Sequence, residues 1–385
     1  MYLLRNSFFV LFFQFFVLLV MGQEAITVSA ILNKIDSIQK RPERDMTYGL
    51  FNTHRKNLFL FSKPKTDNNA FYTGLVVNVL RVYKDKLDSN DNRLADSIIN
   101  RALPAFKKFK HKKGKPSYFF WAVDTPRHFP NSFLEKITTE KRFLPDDADC
   151  SAILLEAANA SDIEKEEAHA LFQKYAGSKK RKPIGSQKKY RKYDAYSTWL
   201  GYAIAPDYDM CVHTNILRFV DKNRLDWTAV DSATAALLAA LVEDRKHISQ
   251  PGFVAPYYGR TSIILYHLSR WMKENQNGWM SSLKPELVEQ AKYFLNGTKS
   301  QLEVILLRTA LLWWNEDIDS PLQIDNEKLM NDKVAFFRGN VGSYLSAPVK
   351  RVANKVGLFT FNFYCPSFNE ALLLQYLMEK ELKRI

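Results

Sequence analysis

The stretch that decides the fold is Leu144-Pro-Asp-Asp-Ala-Asp-Cys-Ser-Ala-Ile-Leu-Leu-Glu156. Three carboxylates lead into a run of small and apolar residues, which is typical of a helix start followed by a helix buried on most of its faces. At least five other segments show the same order, with a polar or turn-forming cluster before a small, apolar helix. The repetition predicts an architecture built from similar helical units.

Helical periodicity dominates the chain, and alternating strand patterns are scarce. Within each of six pairs of helices, one member is apolar on nearly all sides, as in Ala70–Leu80, and one is amphipathic, as in Asn90–Arg101. Six buried helices inside six amphipathic ones predict an all-α (α/α)6 toroid of six helical hairpins, with inner and outer rings. An α-solenoid is the alternative, but the spacing between inner-helix starts drifts between about 40 and 80 residues, which favours the closed ring. The predicted helices span 25–40, 68–84, 91–106, 147–160, 162–176, 209–221, 228–243, 258–274, 284–295, 299–314, 326–336 and 367–383.

The N-terminus has the pattern of a secretory signal. Arg5 provides a basic start, Phe8–Val20 is almost wholly apolar, and Gly22 offers a small residue for cleavage. The apolar run is shorter than the roughly 20 residues that span a bilayer comfortably. We therefore predict that residues 1–22 are a signal peptide, that 23–385 form one domain, and that the protein is exported to the periplasm or envelope. An uncleaved N-terminal membrane anchor is the alternative.

The number of cysteines and the net charge further restrict the possible classes of protein. Three cysteines are too few for a disulfide scaffold, and we expect them to be buried. The net charge of +14 comes largely from two basic runs, Lys107–Lys115 and Lys179–Lys192. No nucleic-acid-binding signature accompanies them, so we expect no nucleic-acid partner. They predict contact with an anionic membrane surface, or else are solvated loops between helices.

Asp146, Asp147 and Asp149 are the candidate catalytic residues. Capping and compensation of the helix dipole would each contribute about 0.5–1 kcal/mol. One acid would suffice for that, however, and three neighbouring carboxylates repel one another and raise at least one pKa when shielded from water. The cluster therefore indicates either a reactive acid facing a ligand or an acidic helix start.

A second set of residues lies at predicted inner-helix starts or in long connections, where we expect it to line one mouth of the ring and bind a ligand. Capping is the alternative for its acids and amides, and core packing for its histidine and aromatics. Asp209, Cys211 and His213 are spaced i, i+2, i+4, which does not place them on one helix face, so we expect no metal site and no cofactor. The set comprises Asp67, Asn68, Asn69, Tyr118, Trp121, Asp209, His213, Asn215, Tyr257, Tyr258 and Arg260.

Several of these segments together resemble the terpenoid-cyclase and protein-prenyltransferase superfamily of α/α toroids, in particular its bacterial members with squalene-cyclase-like repeats. Asp147-Ala-Asp-Cys-Ser-Ala152 is similar to the D-x-D-D-T-A element of class II cyclases, and the resemblance implies that Asp149 is a proton donor. Cys150 stands where that element has its third acid, and Ser151 replaces its threonine. No His/Cys/Asp trio resembles the prenyltransferase zinc site. The other segments are Asp67–Gly74, Tyr118–Trp121, Phe129–Asn131, Asp209–Asn215, Pro256–Tyr258 and Ser367–Glu370.

Three functions are compatible with these patterns. The resemblance implies a protein that binds or transforms a polyprenyl or terpenoid lipid in an aromatic-lined cavity, or a relative that has lost this activity. An (α/α)6 ring with paired carboxylates and aromatic platforms also suits a carbohydrate-active or carbohydrate-binding protein. A non-catalytic envelope scaffold is the third. A closed apolar cavity would favour lipid, an open cleft with carboxylates would favour sugar, and a filled cavity would favour the scaffold.

Overall fold

A computed structural model of the chain describes residues 26–39, 47–57, 63–123, 128–131, 144–178, 181–316, 318, 320–340, 342–343, 345–357 and 360–383. The predicted signal peptide, residues 1–22, lies outside these ranges. None of the helices within them is both long enough and apolar enough to cross a membrane.

Helices make up most of the described chain. All twelve predicted helices are present, with ends shifted by a few residues, except that the helix predicted over 326–336 stops at Met330. The fifteen α-helices of the described residues are α1 (Val28–Ile38), α2 (Phe71–Tyr83), α3 (Ser89–Phe106), α4 (Ala148–Ala157), α5 (Asp162–Lys174), α6 (Met210–Lys222), α7 (Ala229–Glu243), α8 (Lys246–Ser249), α9 (Pro251–Val254), α10 (Thr261–Glu274), α11 (Lys284–Gly297), α12 (Gln301–Trp313), α13 (Asn326–Met330), α14 (Ala347–Val356) and α15 (Pro366–Leu382).

Helix burial follows the two predicted types. Every residue of α4 is buried, as are ten of the thirteen residues of α6. By contrast, α5 buries only Ala168, His169 and Phe172. A helix with one buried stripe faces water on its other sides, whereas a helix buried all round must be enclosed by neighbours. The structure thus contains both enclosed and surface helices, as the sequence predicted.

The enclosed helices contact one another in a closed succession. Helix α2 packs on α4, α4 on α6, α6 on α10, α10 on α12, α12 on α15, and α15 returns to α2. The other helices of the predicted pairs pack against this group: α1 on α15, α3 on α2, α5 on α4, α7 on α6, α11 on α12, and α13 on α15.

The all-α prediction was wrong in one respect, because a four-stranded antiparallel sheet is present. Its strands are β1 (Thr53–Asn57), β2 (Lys65–Asp67), β3 (Phe337–Asn340) and β4 (Thr360–Tyr364), in the order β2-β1-β4-β3. The register pairs Thr53 with Asp67 at one edge and Phe337 with Phe363 at the other. The strands come from the connections before α2 and α15, so the sheet lies at the N-terminal ends of these helices.

Strand β1 was not predicted because its buried residues are polar. Thr53, Arg55 and Asn57 are buried while His54 and Lys56 are not, which is the period of a strand. Arg55 can be buried because its guanidinium forms a 2.5 Å ion pair with Asp67. Burial alternates along this strand, but hydropathy does not.

All three cysteines are buried and unpaired, as predicted. Cys150 and Cys211 lie in the first turns of α4 and α6, and Cys365 is the residue before α15. Their thiols therefore act as small hydrophobic groups.

Candidate functional site

Asp147 is the N-cap of α4. Its Oδ1 accepts a hydrogen bond from the Cys150 amide at 2.7 Å, and its own amide donates to the Tyr118 carbonyl at 3.3 Å. Burial, together with the neighbouring charges of Asp149 and Asp146, raises the pKa of Asp147 to about 8, although the hydrogen bonds of the cap oppose the rise. The surroundings of this carboxyl group therefore favour its protonated form.

Asp149 lies within the first turn of α4. Its carboxylate accepts hydrogen bonds from two side chains, one in α6 and one in the connection before α10. Its Oδ1 accepts from Asn215 Nδ2 at 2.6 Å, and its Oδ2 accepts from the Tyr258 hydroxyl at 2.6 Å. The guanidinium of Arg270 in turn donates to Asn215 Oδ1. Burial raises the pKa of Asp149 to about 6, although the two hydrogen bonds and Arg270 oppose that rise.

Asp209 is a third buried carboxyl group beside this pair. It caps α6 by accepting from the amides of Cys211 at 2.8 Å and Val212 at 3.1 Å. Its other oxygen accepts from the Tyr257 amide at 2.8 Å. Burial raises its pKa to about 7, and the charge of Asp149 adds to the rise. Two acids that are distant in sequence thus interact electrostatically at the start of two adjacent helices.

Asp147 and Asp149 line a cavity with almost entirely apolar walls. The side of the cavity opposite α4 is formed by the sheet residues Phe337, Gly339 and Phe363. The cavity volume is about 50 Å³, which at about 10–15 Å³ per water holds a few water molecules. The remaining lining residues are Phe120, Trp121, Phe129, Leu144, Cys150, Thr198, Trp199, Tyr257 and Asn340.

Aromatic contacts hold this wall together. Phe120 packs against Trp121, Phe337 and Phe363, with ring centroids 4.9, 5.4 and 5.2 Å apart. Such offset and edge-to-face pairs add roughly 0.5–1.5 kcal/mol each beyond burial. The segment Tyr118–Trp121 was predicted to cover one mouth of the ring, and Phe120 and Trp121 do line the cavity. Tyr118 does not line it, although its backbone contacts α4, where its amide donates to Ser151 Oγ at 2.9 Å.

The Asp67 group has a structural explanation. The sequence placed Asp67, Asn68 and Asn69 at the start of an inner helix, but α2 begins at Phe71 and Asp67 is the last residue of β2. The Asp67 carboxylate is paired with Arg55 and accepts from Trp121 Nε1 at 3.2 Å and from Asn69 Nδ2 at 2.9 Å. Asp67 therefore positions Trp121, which lines the cavity, and does not line the cavity itself.

Three predicted site residues lie away from the cavity lining. Asp146 accepts from Ser117 Oγ at 2.5 Å and anchors the preceding connection. His213 forms a 2.8 Å hydrogen bond with the Tyr196 carbonyl, and burial lowers its pKa to about 4, so it is a neutral core residue. Arg260 is half-exposed and pairs with Glu303 at 3.1 Å in a different groove.

The predicted residue Tyr257 lines the cavity and contacts several residues that were not predicted. Its hydroxyl donates to Asp207 Oδ2 at 2.6 Å and accepts from Trp199 Nε1 at 3.1 Å. Asp207 also accepts from Ser343, and buried Lys350 lies 3.7 Å from its other oxygen. The position of Asp207 two residues before the predicted cap Asp209 was the available signal. Nothing in the sequence pointed to Ser343 or Lys350.

Below the cavity, the space among the enclosed helices is polar. Burial alone would raise the pKa of Glu156, but Arg218 at 2.9 Å and Lys222 at 3.2 Å lower it to about 2. The remaining cavity there is only about 30 Å³ and is bordered by Asn215 and Arg270. The apolar space thus ends at Asp149, and a charged network fills the region beyond it.

The two basic runs meet on the surface. Tyr175 has Lys115 from the first run 6.0 Å from its ring centroid and Arg181 from the second run 5.8 Å away. Of the second run, residues 181–192 are described. The amide of Ala347, the first residue of α14, donates to the Ile184 carbonyl at 3.0 Å. Both runs and α14 therefore belong to one continuous surface.

No protein-family model, curated protein or solved structure matches the chain. Among the described residues, no group of three or more His, Cys, Asp or Glu side chains is placed to hold a metal ion.

Proposed function

We propose that the chain forms an (α/α)6 toroid, with α2, α4, α6, α10, α12 and α15 as its inner ring. The closed succession of contacts from α2 through α15 and back to α2 supports this proposal. Each of these six helices also packs against a helix outside the group, which supports the proposal too. In a solenoid, each unit contacts only its neighbours, so the first and last units do not contact each other.

We propose further that this toroid binds the apolar end of a polyprenyl or terpenoid-like lipid in the cavity above α4. The observation that carries the proposal is a small, partly open cavity with aromatic walls that is lined by two carboxyl groups, Asp147 and Asp149. Sugar binding would favour an open cleft with exposed polar groups, whereas these walls are apolar. The cavity volume of about 50 Å³ accommodates only the end of such a ligand in this conformation.

The pKa values assign a proton donor and a proton acceptor, although a carboxyl group with a raised pKa is a weaker acid, so protonation of an alkene here would depend on stabilisation of the resulting cation by the cavity walls. At neutral pH, Asp147 is protonated because its pKa is about 8, and Asp149 is mostly ionised because its pKa is about 6. Asp147 would donate its proton to one carbon of a C=C bond, and the π electrons would form the new C–H bond and leave a cation on the other carbon. Asp149 would then accept a proton from an adjacent C–H bond, whose electrons form a shifted C=C bond.

This assignment makes Asp147 the first donor, whereas the family resemblance implied Asp149. One proton moves from Asp147 to Asp149 in each cycle; Asp149 would then release a proton to water and Asp147 would take one up from water, so atoms and charge balance and solvent deuterium can enter the product. The faces of Phe120, Trp199 and Phe337 would stabilise the cation by cation–π interaction. Water would compete for the cation, and the apolar walls limit its access.

Farnesol is a suitable probe, because it combines an isoprenoid chain with moderate solubility. We expect it to quench the fluorescence of Trp121 and Trp199, and we expect Phe337→Ala to weaken that binding. In deuterium oxide, the wild type should introduce deuterium at alkene carbons, while Asp147→Asn should bind farnesol without exchange. Asp162→Asn, which alters an exposed acid at the start of α5, is the control.

Two outcomes would refute the lipid proposal. The first is the absence of farnesol-dependent quenching. The second is quenching that Phe337→Ala leaves unchanged, because binding would then lie elsewhere. Binding of a neutral oligosaccharide that is lost in Phe337→Ala would instead favour the carbohydrate function.

A separate observation favours attachment to an anionic membrane surface, consistent with the expected export to the envelope. Helix α14 exposes Val349, Val352 and Val356 at i, i+3 and i+7, on the face opposite the buried Lys350. Exposed Ile184 and the exposed Lys182 lie beside its first turn. Apolar residues beside a basic surface are typical of helices that insert shallowly among anionic headgroups.

Vesicle co-sedimentation tests this attachment. Vesicles containing phosphatidylglycerol should bind the protein more than vesicles of phosphatidylcholine alone, and added salt should weaken the binding. Val352→Ser should reduce binding, whereas Val82→Ser, at the far end of α2, should not. Equal binding to both vesicle types, or equal effects of the two substitutions, would contradict the proposal.

A further inference from the structure

Strand β3 separates the aromatic cavity from a larger groove. Phe337 and Gly339 line the cavity, and Arg338 between them points to the opposite side, as successive residues of a strand do. There Arg338 lines an open groove of about 970 Å³, bordered by the first residues of α10 and α12 and the end of α11. Of the residues that line this groove, the sequence had indicated only Arg260 as a ligand-binding candidate.

Backbone packing fixes the position of Arg338. Its guanidinium lies over Gly259, where φ is +67°, and a Cβ atom at that residue would be 1.0 Å from Arg338 Nη2. The amide of Arg338 also donates to the Tyr257 carbonyl at 2.7 Å. Gly259 is therefore required both for its backbone conformation and for the space that the guanidinium occupies.

Arg338 has no direct acceptor among the described side chains. Its Nε is buried without a hydrogen-bond acceptor, and no described carboxylate forms an ion pair with the guanidinium. Burial lowers the pKa of Arg338 to about 10 and the positive charge of Arg260 adds to that effect, while the charge of Asp209 opposes it without direct contact. Leaving a partly buried cation without a direct partner is unfavourable, and a bound anion would remove the penalty.

The carboxylate that lines the groove, that of Glu303, does not form an ion pair with Arg338. Glu303 pairs with Arg260 at 3.1 Å and accepts from Ser262 at 2.7 Å and Thr298 at 2.6 Å. Its charge is thus shared among three donors. The N-terminus of α12 is already compensated, because Asp332 accepts from the Leu302 amide at 3.1 Å and from Ser300 Oγ. Among the charged residues that line the groove, Arg260, Lys299 and Arg338 outnumber Glu303, so the lining carries a net positive charge.

We propose that this groove binds a phosphate or sulfate group carried by a small polar ligand, with Arg338 as the residue that contacts the oxyanion. A guanidinium presents parallel N–H donors that match the oxygens of such a group. The groove is far larger than one oxyanion, and Tyr293, which is three-quarters exposed at its rim, offers a ring face to the rest of the ligand. This site is independent of the proposed lipid cavity on the other side of β3.

Calorimetric titration of the full chain tests the site. Inorganic pyrophosphate is the first probe, and a sulfated disaccharide is the second, so that a free phosphate is distinguished from an anionic sugar. We expect Arg338→Gln to weaken binding of the better probe at least about tenfold, as for loss of a charge-assisted hydrogen bond. Gly259→Ala, which displaces the guanidinium, should weaken it similarly. Arg93→Gln removes an exposed arginine on α3 and should leave binding unchanged.

The stability of the free protein provides a second measurement. Without ligand, Arg338→Gln should melt at the same temperature as the wild type or higher, because it removes an unpaired cation. Pyrophosphate should raise the melting temperature of the wild type but not of the variant. Absence of binding by both probes would overturn the proposal, as would equal losses in Arg338→Gln and Arg93→Gln. Binding only to phosphatidylglycerol vesicles would overturn it too, by assigning the anion affinity to the membrane surface.

Discussion

Replacing Asp149 by asparagine tests whether its carboxyl group is shielded, as the structure indicates, or is simply an acid at a helix start. Its pKa is raised from the usual 3.8 to about 6. The folded state therefore binds the proton more tightly than the unfolded state does. The stability associated with this proton is fully present below about pH 4 and is lost as the pH rises through 6.

The size of the effect follows from the shift. A rise of about 2 units corresponds to about 3 kcal/mol at 1.36 kcal/mol per unit, and most of it should appear between pH 4 and pH 8. The side-chain amide of the Asp149→Asn variant has no such titration. At pH 4 the variant should be less stable by about 1 kcal/mol, since an amide replaces the protonated carboxyl group imperfectly between Asn215 and Tyr258. At pH 8 it should be more stable than the wild type by about 1–2 kcal/mol, the remainder of that shift.

Urea unfolding of both proteins at pH 4, 5, 6, 7 and 8 would measure this difference. Other titrating groups, including the buried histidines, largely cancel because both proteins contain them. The exceptions are Asp147 and Asp209, whose pKa values fall when the charge of Asp149 is removed, which adds to the gain of the variant at high pH. Asp162→Asn at the exposed start of α5 is the matched control, and there the variant should be no more stable than the wild type at any pH. If Asp149→Asn follows the control, with a constant or growing loss above pH 5, Asp149 is not shielded and the reasoning fails.

Other parts of the chain support three more expectations. Arg55→Met should lower the free energy of unfolding by about 3–5 kcal/mol because it leaves Asp67 buried and unpaired, and urea unfolding should show that adding Asp67→Leu recovers much of the loss. The Arg55→Met variant should also blue-shift or broaden Trp121 fluorescence, because the indole donates to Asp67. Protein recovered from its native host should begin after residue 22, and N-terminal sequencing that finds Met1 would identify an uncleaved anchor instead.

The helices were predictable because apolar residues recur in the sequence with the same period as the buried residues of the helices. The segment Ala148–Ala157 is small and apolar throughout most of its length, and it is enclosed. The sheet was not predictable, since β1 buries Arg55 and the chain supplies its partner Asp67 from another strand. Helix α14 was not predicted because its valines are exposed and its Lys350 is buried. In most surface helices the apolar residues are buried and the lysines are exposed.

The sequence located the acidic motif and, through the predicted ring, grouped Asn215 and Tyr258 with it at one mouth. These two residues lie 66 and 109 residues from Asp149 along the chain and do contact its carboxylate. The individual hydrogen bonds could not be predicted, because they arise from the packing of separate helices. The same holds for Trp199 and Phe337 in the cavity wall. A sequence can therefore identify which helix presents an acid without revealing what faces it.

The structure separates two roles that the sequence left combined in one acidic cluster. Capping of α4 is performed by Asp147, and capping of α6 by Asp209. The hydrogen bonds of the Asp149 carboxylate come instead from side chains outside α4. Burial also raises the pKa of the two capping residues, to about 8 for Asp147 and about 7 for Asp209, so a raised pKa does not by itself distinguish Asp149. What distinguishes Asp149 is that its carboxylate oxygens accept from Asn215 and Tyr258 and cap no helix, which is the arrangement expected of an acid positioned by its surroundings for a ligand or a reaction.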